Sequence, residues 1–407
     1  LHFISDRSGW WNLYRWGDGS AEAMCPMAAE FGQPFWNFGL CTYAFASATQ
    51  LVCCIGRNAV SRLAVLDTGS LRLSEIATPF SSFGNIAAVD GRVLFTGASP
   101  LQPASVVLLQ LDSGHLELLR RGSTLDVDSD DTSVAQAIEF PTAGGVTAHA
   151  FYYPPKNRDY AAPAGEKPPL LVMGHGGPTS MAVDAYRAGV QYWTSRGIAV
   201  LDVNYGGSAG FGRAYRQRLD GQWGVVDVMD CIHGARFLAQ RGQVDGQRLI
   251  IRGGSAGGFT TLCALAFHDS FACGASLYGI GDLETLATDT HKFEARYLDR
   301  LVGPYPAARE LYRARSPIHH LDGLTCPLIL LQGAEDPVVP PEQSRRMHAA
   351  LKAKGVPVAY LEFEGEQHGF RMAANIVRAL QAEAYFYSRV FGFTLADAVE
   401  PVLIDNL

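Results

Sequence analysis

The stretch Arg252-Gly253-Gly254-Ser255-Ala256-Gly257-Gly258 carries the residues best suited to chemistry. Its Gly-x-Ser-x-Gly core follows an apolar run ending at Ile251 and opens a run with helical texture. A serine hydroxyl is a weak nucleophile until its surroundings activate it. On a sharp turn between strand and helix it stands clear of the backbone. The first N–H of the helix then faces the oxygen that becomes negative during acyl transfer. The glycines have a steric role, because a Cβ at position 253 or 257 would collide where strand meets helix. The pattern predicts Ser255 as a nucleophile and the Ala256 N–H as one oxyanion donor. A purely structural glycine-rich turn is the alternative.

Such a serine needs a base, and the base needs an acid to orient it. Six histidines follow Ser255. Of these, His268 and His348 fall on helical stretches and His319-His320 in a connecting loop. His368 lies in Glu364-Gly-Glu-Gln-His-Gly-Phe370, just after a strand-like run ending near Phe363, and is the expected base. Asp336, in the loop after another apolar run, is the expected acid. Neighbouring Glu335 competes, but adjacent side chains diverge and only one can serve His368. The second oxyanion donor is expected from Gly174-His175-Gly176-Gly177-Pro178, where paired glycines let backbone approach a substrate. His175 itself reads either as a pocket residue or as support for that loop. Asn204-Tyr205-Gly206-Gly207-Ser208-Ala209-Gly210-Phe211-Gly212 reads as a substrate-contact loop, since no lysine follows as a phosphate loop demands. No histidine pair has helical metal spacing, and no cofactor is expected.

Elements must bring these residues together. From residue 134, apolar strand-like runs alternate with helical ones. The strands are expected at 169–173, 198–203, 248–251, 272–277, 327–331 and 358–363. The helices are expected at 225–241, 257–268, 341–354 and 373–390. That alternation predicts an α/β unit with a doubly wound, mostly parallel sheet. Residues 1 to about 121 instead show short runs broken by turn residues, which is all-β texture. Leu66-Asp67-Thr68-Gly69-Ser70-Leu71 recurs as Leu111-Asp112-Ser113-Gly114-His115-Leu116, and more loosely as Trp16-Gly17-Asp18-Gly19. A period of about 45–49 residues with hairpin turns suggests propeller blades, roughly three of them. A closed propeller needs at least about four blades, so the segment reads as partial. With no initiator Met, the numbering is expected to begin inside a longer protein. The aspartate-rich stretch 122–133 is the expected boundary, giving units 1–125 and 126–407. A calcium loop is its alternative, although no Gly or closing Glu sits at loop spacing.

Composition narrows the function classes. Of 407 residues, 48% are hydrophobic and 18% charged, so the chain can bury a large core. A net charge of −7 with no basic stripe argues against nucleic acid as a partner. No apolar run is long enough to cross a membrane, and no signal peptide is visible. The eight cysteines show no Cys-x-x-Cys pattern and sit mostly among apolar neighbours, which favours buried thiols in a cytoplasmic, reducing setting. An exposed propeller edge could pair with a second copy, so a homo-oligomer is a possible assembly.

Taken together, His-Gly-Gly-Pro (175–178), Asn-Tyr-Gly-Gly-Ser-Ala-Gly-Phe-Gly (204–212), Gly-Gln-Trp-Gly-Val-Val-Asp (221–227), Gly-Gly-Ser-Ala-Gly-Gly (253–258), Glu-Asp-Pro-Val-Val-Pro (335–340) and Glu-Gln-His-Gly-Phe (366–370) resemble the prolyl oligopeptidase family of serine peptidases. The likeness is greatest to its dipeptidyl aminopeptidase and acylaminoacyl-peptidase branch and covers essentially the whole chain. It implies a C-terminal α/β-hydrolase domain behind a β-propeller, and hydrolysis of short peptides through an acyl-enzyme. It implies Ser255, Asp336 and His368 as the triad, with Gly177 and Ala256 as oxyanion donors. Tyr278, Trp223 and Tyr297 are candidates to line the pocket for the residue before the scissile bond, with core packing as the alternative. His175 stands where some relatives carry an oxyanion-hole Tyr. Gly206 stands where many carry an arginine, and Val338 where some carry an arginine that holds the substrate carbonyl. A carboxylesterase on the same fold is the competing reading, because the same triad hydrolyses esters.

Overall fold

The computed structural model describes residues 1–125 and 128–407. Three antiparallel sheets come first. They are β1 (His2–Ser5), β2 (Asn12–Gly17) and β3 (Ser20–Ala23); β4 (Tyr43–Phe45), β5 (Gln50–Arg57), β6 (Val60–Asp67) and β7 (Leu73–Ile76); and β8 (Ser82–Val89), β9 (Arg92–Ser99), β10 (Gln102–Gln110) and β11 (Leu116–Arg121). Each sheet meanders in chain order, as a propeller blade does. All three copies of the repeated turn join the last two strands of a blade. In the second copy Asp67 Oδ1 accepts from the N–H groups of Gly69 and Ser70 at 3.2 and 2.7 Å, an Asx-type turn. β5 explains its unbroken apolar run Leu51-Val-Cys-Cys-Ile55. Its alternate residues face opposite sides, and both sides are buried. Leu51, Cys53 and Ile55 pack with the first blade, while Val52 and Cys54 pack with the third.

The second part is one eight-stranded sheet. Its strands are β12 (Gln136–Pro141), β13 (Thr147–Tyr153), β14 (Leu170–Gly174), β15 (Ala199–Asn204), β16 (Leu249–Gly254), β17 (Cys273–Leu277), β18 (Leu328–Gly333) and β19 (Val358–Phe363). Their order is β12-β13-β15-β14-β16-β17-β18-β19. From β15 onward every pairing is parallel, whereas β12 and β13 add on antiparallel. The helices are α1 (Ala188–Thr194), α2 (Arg213–Arg216), α3 (Val226–Gln240), α4 (Ala256–Phe267), α5 (Leu283–Asp289), α6 (Leu298–Leu301), α7 (Arg309–Arg315), α8 (Glu342–Lys354) and α9 (Ala373–Phe391). Side chains of α3, α4 and α8 pack on one face with Val172, Leu201, Ile251 and Leu330. Those of α1 and α9 pack on the other with Leu171, Val200, Ile250 and Ile329. This is the doubly wound α/β-hydrolase arrangement behind a partial propeller that the sequence predicts. The sequence reading did not find the antiparallel pair β12–β13. The edge strand β12 exposes Gln136, Ala137 and Glu139 and so lacks an apolar run.

Asp126 and Val127, in the expected boundary loop, lie outside the described residues. The carboxylates of Asp128 and Asp131 in the same loop both hold the Arg158 guanidinium. The blades grip the sheet unit through a buried acid. Glu30 accepts from the N–H of Trp11 at 2.8 Å within the blades, and from Gly212 N and Arg216 Nη1, both at 3.0 Å, across the junction.

Candidate active site

Ser255 occupies the turn between β16 and α4 with φ 56° and ψ −121°, a conformation that L residues rarely adopt. The fold can hold that strain because α4 is buried on all sides from Ala256 to Ala266. The flanking glycines are sterically required. A Cβ on Gly253 would stand 2.2 Å from Gly257 O, and one on Gly257 would stand 2.2 Å from Gly174 O. The strand β16, the helix and the end of β14 therefore meet through bare backbone.

His368 and Asp336 reach this turn from the loops after β19 and β18. His368 Nε2 lies 2.7 Å from Ser255 Oγ, and its Nδ1 lies 2.8 Å from Asp336 Oδ2. These partners assign the tautomer: Nδ1–H donates to the carboxylate and Nε2 accepts from the serine hydroxyl. The Asp336 carboxylate is wholly enclosed, whereas His368 keeps 21% of its side chain exposed, on the side a substrate would approach. Asp336 Oδ1 accepts from the N–H groups of Val338 and Val339, both at 2.9 Å, which fixes its plane. Gln332 donates to Oδ2 at 3.2 Å and is itself held by Ser344 of α8 at 2.8 Å. Glu335 points outward and is exposed. The choice between the adjacent acids is thus made by a half-turn of the chain.

Gly177 and Ala256 both border the space at Ser255, and among the described residues neither N–H donates to a protein acceptor. His175 and Tyr205 sit behind that loop and line neither cavity at Ser255. This is the loop-supporting one of the two readings of His175, whereas the substrate contact expected of Tyr205 is corrected. His175 Nδ1 lies 2.9 Å from Gly176 O and Nε2 lies 2.6 Å from Ser208 Oγ, so the ring donates forward and accepts from the serine. Burial holds the His175 pKa down to about 4, which keeps it neutral for both bonds. Tyr205 stacks on it at 4.3 Å and has its hydroxyl 2.9 Å from Pro178 O. A Cβ at Gly206 would stand 2.7 Å from Val226 and 2.8 Å from the Arg218 guanidinium, so a larger residue there needs both side chains to shift.

Two cavities meet at Ser255. A small one of about 30 Å³ lies between Gly177, Ala256, Trp223, Ile280, Tyr297 and Val338. A larger one of about 710 Å³ is bordered by Gly176, Tyr278, His368, Arg252, Trp36 and Phe293. Tyr297 borders both, its hydroxyl 2.8 Å from Thr179 Oγ1. Trp223, Tyr278, Tyr297 and Val338 are thus brought to the site, with Trp223 reaching it from the core. The sequence reading missed Arg252, Trp36 and Phe293. Burial works against the Arg252 charge, but Glu383 of α9, bound through two contacts of 2.7 and 3.0 Å, outweighs it and raises the arginine's pKa. The aromatic run Phe35-Trp36-Asn37-Phe38 in a turn-rich stretch was the available signal for Trp36.

Comparison with known proteins fits this geometry. The profile of the prolyl oligopeptidase family matches residues 184–394, just over half of the chain. A solved puromycin-hydrolyzing peptidase of Mycobacterium tuberculosis is 44% identical with a TM-score of 0.96, over 100% of this chain and 62% of that one. A dipeptidyl aminopeptidase BIII of Pseudoxanthomonas mexicana is 34% identical over 213 residues, 51% of this chain and 31% of its own. An acylamino-acid-releasing enzyme of Arabidopsis thaliana is 32% identical over 222 residues, 50% of this chain and 28% of its own. The matched segments thus span less than a third of the length of these curated relatives, and the chain spans less than two thirds of the solved peptidase.

Proposed function

Because the chain belongs to the prolyl oligopeptidase family, we propose that it is a serine peptidase acting on short peptides and related amides. His368 takes the Ser255 proton as Oγ attacks the scissile carbonyl, and Asp336 holds the ring and stabilises its charged form. The N–H groups of Gly177 and Ala256 stabilise the oxyanion. His368 then protonates the leaving nitrogen, and water hydrolyses the acyl-enzyme by the reverse path. The observation that carries this reading is the continuous chain from Ser255 to His368 to Asp336 at 2.7 and 2.8 Å. Peptides that lose a dipeptide, peptides that lose an acylated amino acid, and puromycin are the candidate substrates, after the names of the similar proteins described above.

The test is labelling with a fluorophosphonate probe. The native chain should label and Ser255→Ala should not; an unlabelled native chain, or a labelled variant, overturns the assignment. Matched anilide and ester substrates then decide the class, and turnover of the ester alone would replace the peptidase by a carboxylesterase. We also place the boundary between the two units at 125/126. A cytoplasmic, reducing location is supported by eight free thiols, of which Cys53, Cys54, Cys231, Cys263 and Cys273 are buried. No helix among the described residues is long and apolar enough to cross a membrane.

A further inference from the structure

The larger cavity at Ser255 carries aromatic surface that the triad does not use. Trp36 and Phe293 border it and remain 43% and 55% exposed. They come from distant parts of the chain, Trp36 from the loop between β3 and β4 and Phe293 from the loop between α5 and α6. The two loops are pinned together. Phe38 packs edge-on to Phe293 with centroids 5.3 Å apart, and Phe35 packs on Trp11 at 5.2 Å. Open aromatic rings gathered at one rim are characteristic of a site that a ligand covers.

One residue decides which half of a substrate each cavity receives. His368 borders the larger cavity and not the smaller one. When the tetrahedral intermediate collapses, the leaving nitrogen takes its proton from His368 Nε2 and must lie within hydrogen-bond reach of it. The leaving group therefore lies on the larger side, and the acyl side chain faces the smaller cavity beside Gly177 and Ala256. The volumes agree in order, since the cavity of about 710 Å³ admits a whole residue and the one of about 30 Å³ is the tighter of the two. We propose that the larger cavity is the leaving-group subsite, and that Trp36 and Phe293 select leaving groups with a flat aromatic side chain. The proposal rests on Ser255 being acylated as set out above.

Acyl transfer to added amines tests it. Alanine p-nitrophenyl ester acylates Ser255, forming the acyl–Oγ bond and releasing p-nitrophenol. An amine then competes with water: its nitrogen bonds to the acyl carbon, the acyl–Oγ bond breaks, and the amine proton returns to Oγ through His368. At equal concentration, phenylalaninamide should capture at least tenfold more acyl groups than glycinamide. Trp36→Ala should bring that ratio to within twofold of unity, Phe293→Ala should lower it, and Trp36→Phe should keep most of it. The ratio counts only folded, acylated protein, so a folding defect cannot imitate the effect. Equal capture by the native chain, or a ratio unmoved by Trp36→Ala and Phe293→Ala, overturns the proposal. If the ester does not acylate Ser255, the peptidase reading falls separately. The subsite is then read by saturation-transfer NMR on Ser255→Ala, where phenylalaninamide must bind more tightly than glycinamide, and equal or absent binding overturns it.

Discussion

Asp336 and Glu335 are neighbours of the same chemical type in opposite situations. One is enclosed against His368 and held by two backbone N–H groups, and the other faces solvent. Asp336→Asn should keep the fold but favour the wrong imidazole tautomer, lowering kcat by about 10³–10⁴ with little change in KM. Glu335→Gln should stay within about twofold of the native chain. Equal losses in the two variants would remove Asp336 from its role. His175 gives a second residue-scale prediction, on stability. Its pKa in the fold is about 4 against an ordinary 6.5, because burial disfavours the charged ring. The unfolded chain therefore binds the extra proton first as pH falls. The contribution is complete above pH 6.5 and is lost between about 6.5 and 4. His175→Gln, which can still pair with Ser208, should flatten the pH dependence of the thermal midpoint in that window. An unchanged slope would mean that the ring is not held neutral.

At the scale of elements, the site is a junction of β16, α4 and the loop after β14, and it works because no side chain intervenes. Gly257→Ala would drive a methyl group to 2.2 Å from Gly174 O, and backbone cannot swing aside as a side-chain tip can. The expected cost is about 3 kcal/mol, together with slower fluorophosphonate labelling, because the displaced loop carries Gly177. Chemical denaturation and labelling kinetics check the two parts, and native-like labelling would show that the junction is looser than its geometry indicates. The acid and base are positioned by the same kind of device. β18 and β19 end side by side, so the loops after them lie together at the strands' C-terminal edge.

For the whole molecule, Glu30 is the telling residue. It belongs to the blades, yet two of its partners lie on the sheet unit, Gly212 and Arg216, while Asp6 meets the same arginine at 2.9 Å. Burial raises the Glu30 pKa, a tendency its donors oppose. Glu30→Ala leaves two enclosed N–H groups and part of a guanidinium unpaired, at an expected cost of about 3 kcal/mol. Because the clamp joins the units, thermal unfolding should change from one transition to two, with the blades melting first. An unchanged single transition would show that the apolar contacts alone hold the units together. The same docking carries the loop with Trp36 over the catalytic cleft.

Where geometry is made by consecutive residues, the sequence alone determined it. The elbow at Ser255 needs only a strand, a turn and a helix in succession, and glycines at 253 and 257 to let them touch. Asp336 and His368 were legible because each follows an apolar parallel strand, and such strands end at one edge. The three blades were legible from a turn repeated between their outer strands. Pairings across long stretches of chain were decided only by tertiary structure. Asp336 rather than Glu335 faces His368 because of the backbone path after β18. His175 supports a loop rather than lining a pocket because Ser208 folds back onto it. Trp36 reaches the cleft because the blades dock on the sheet unit, and no local pattern specifies which distant surface an exposed tryptophan will meet.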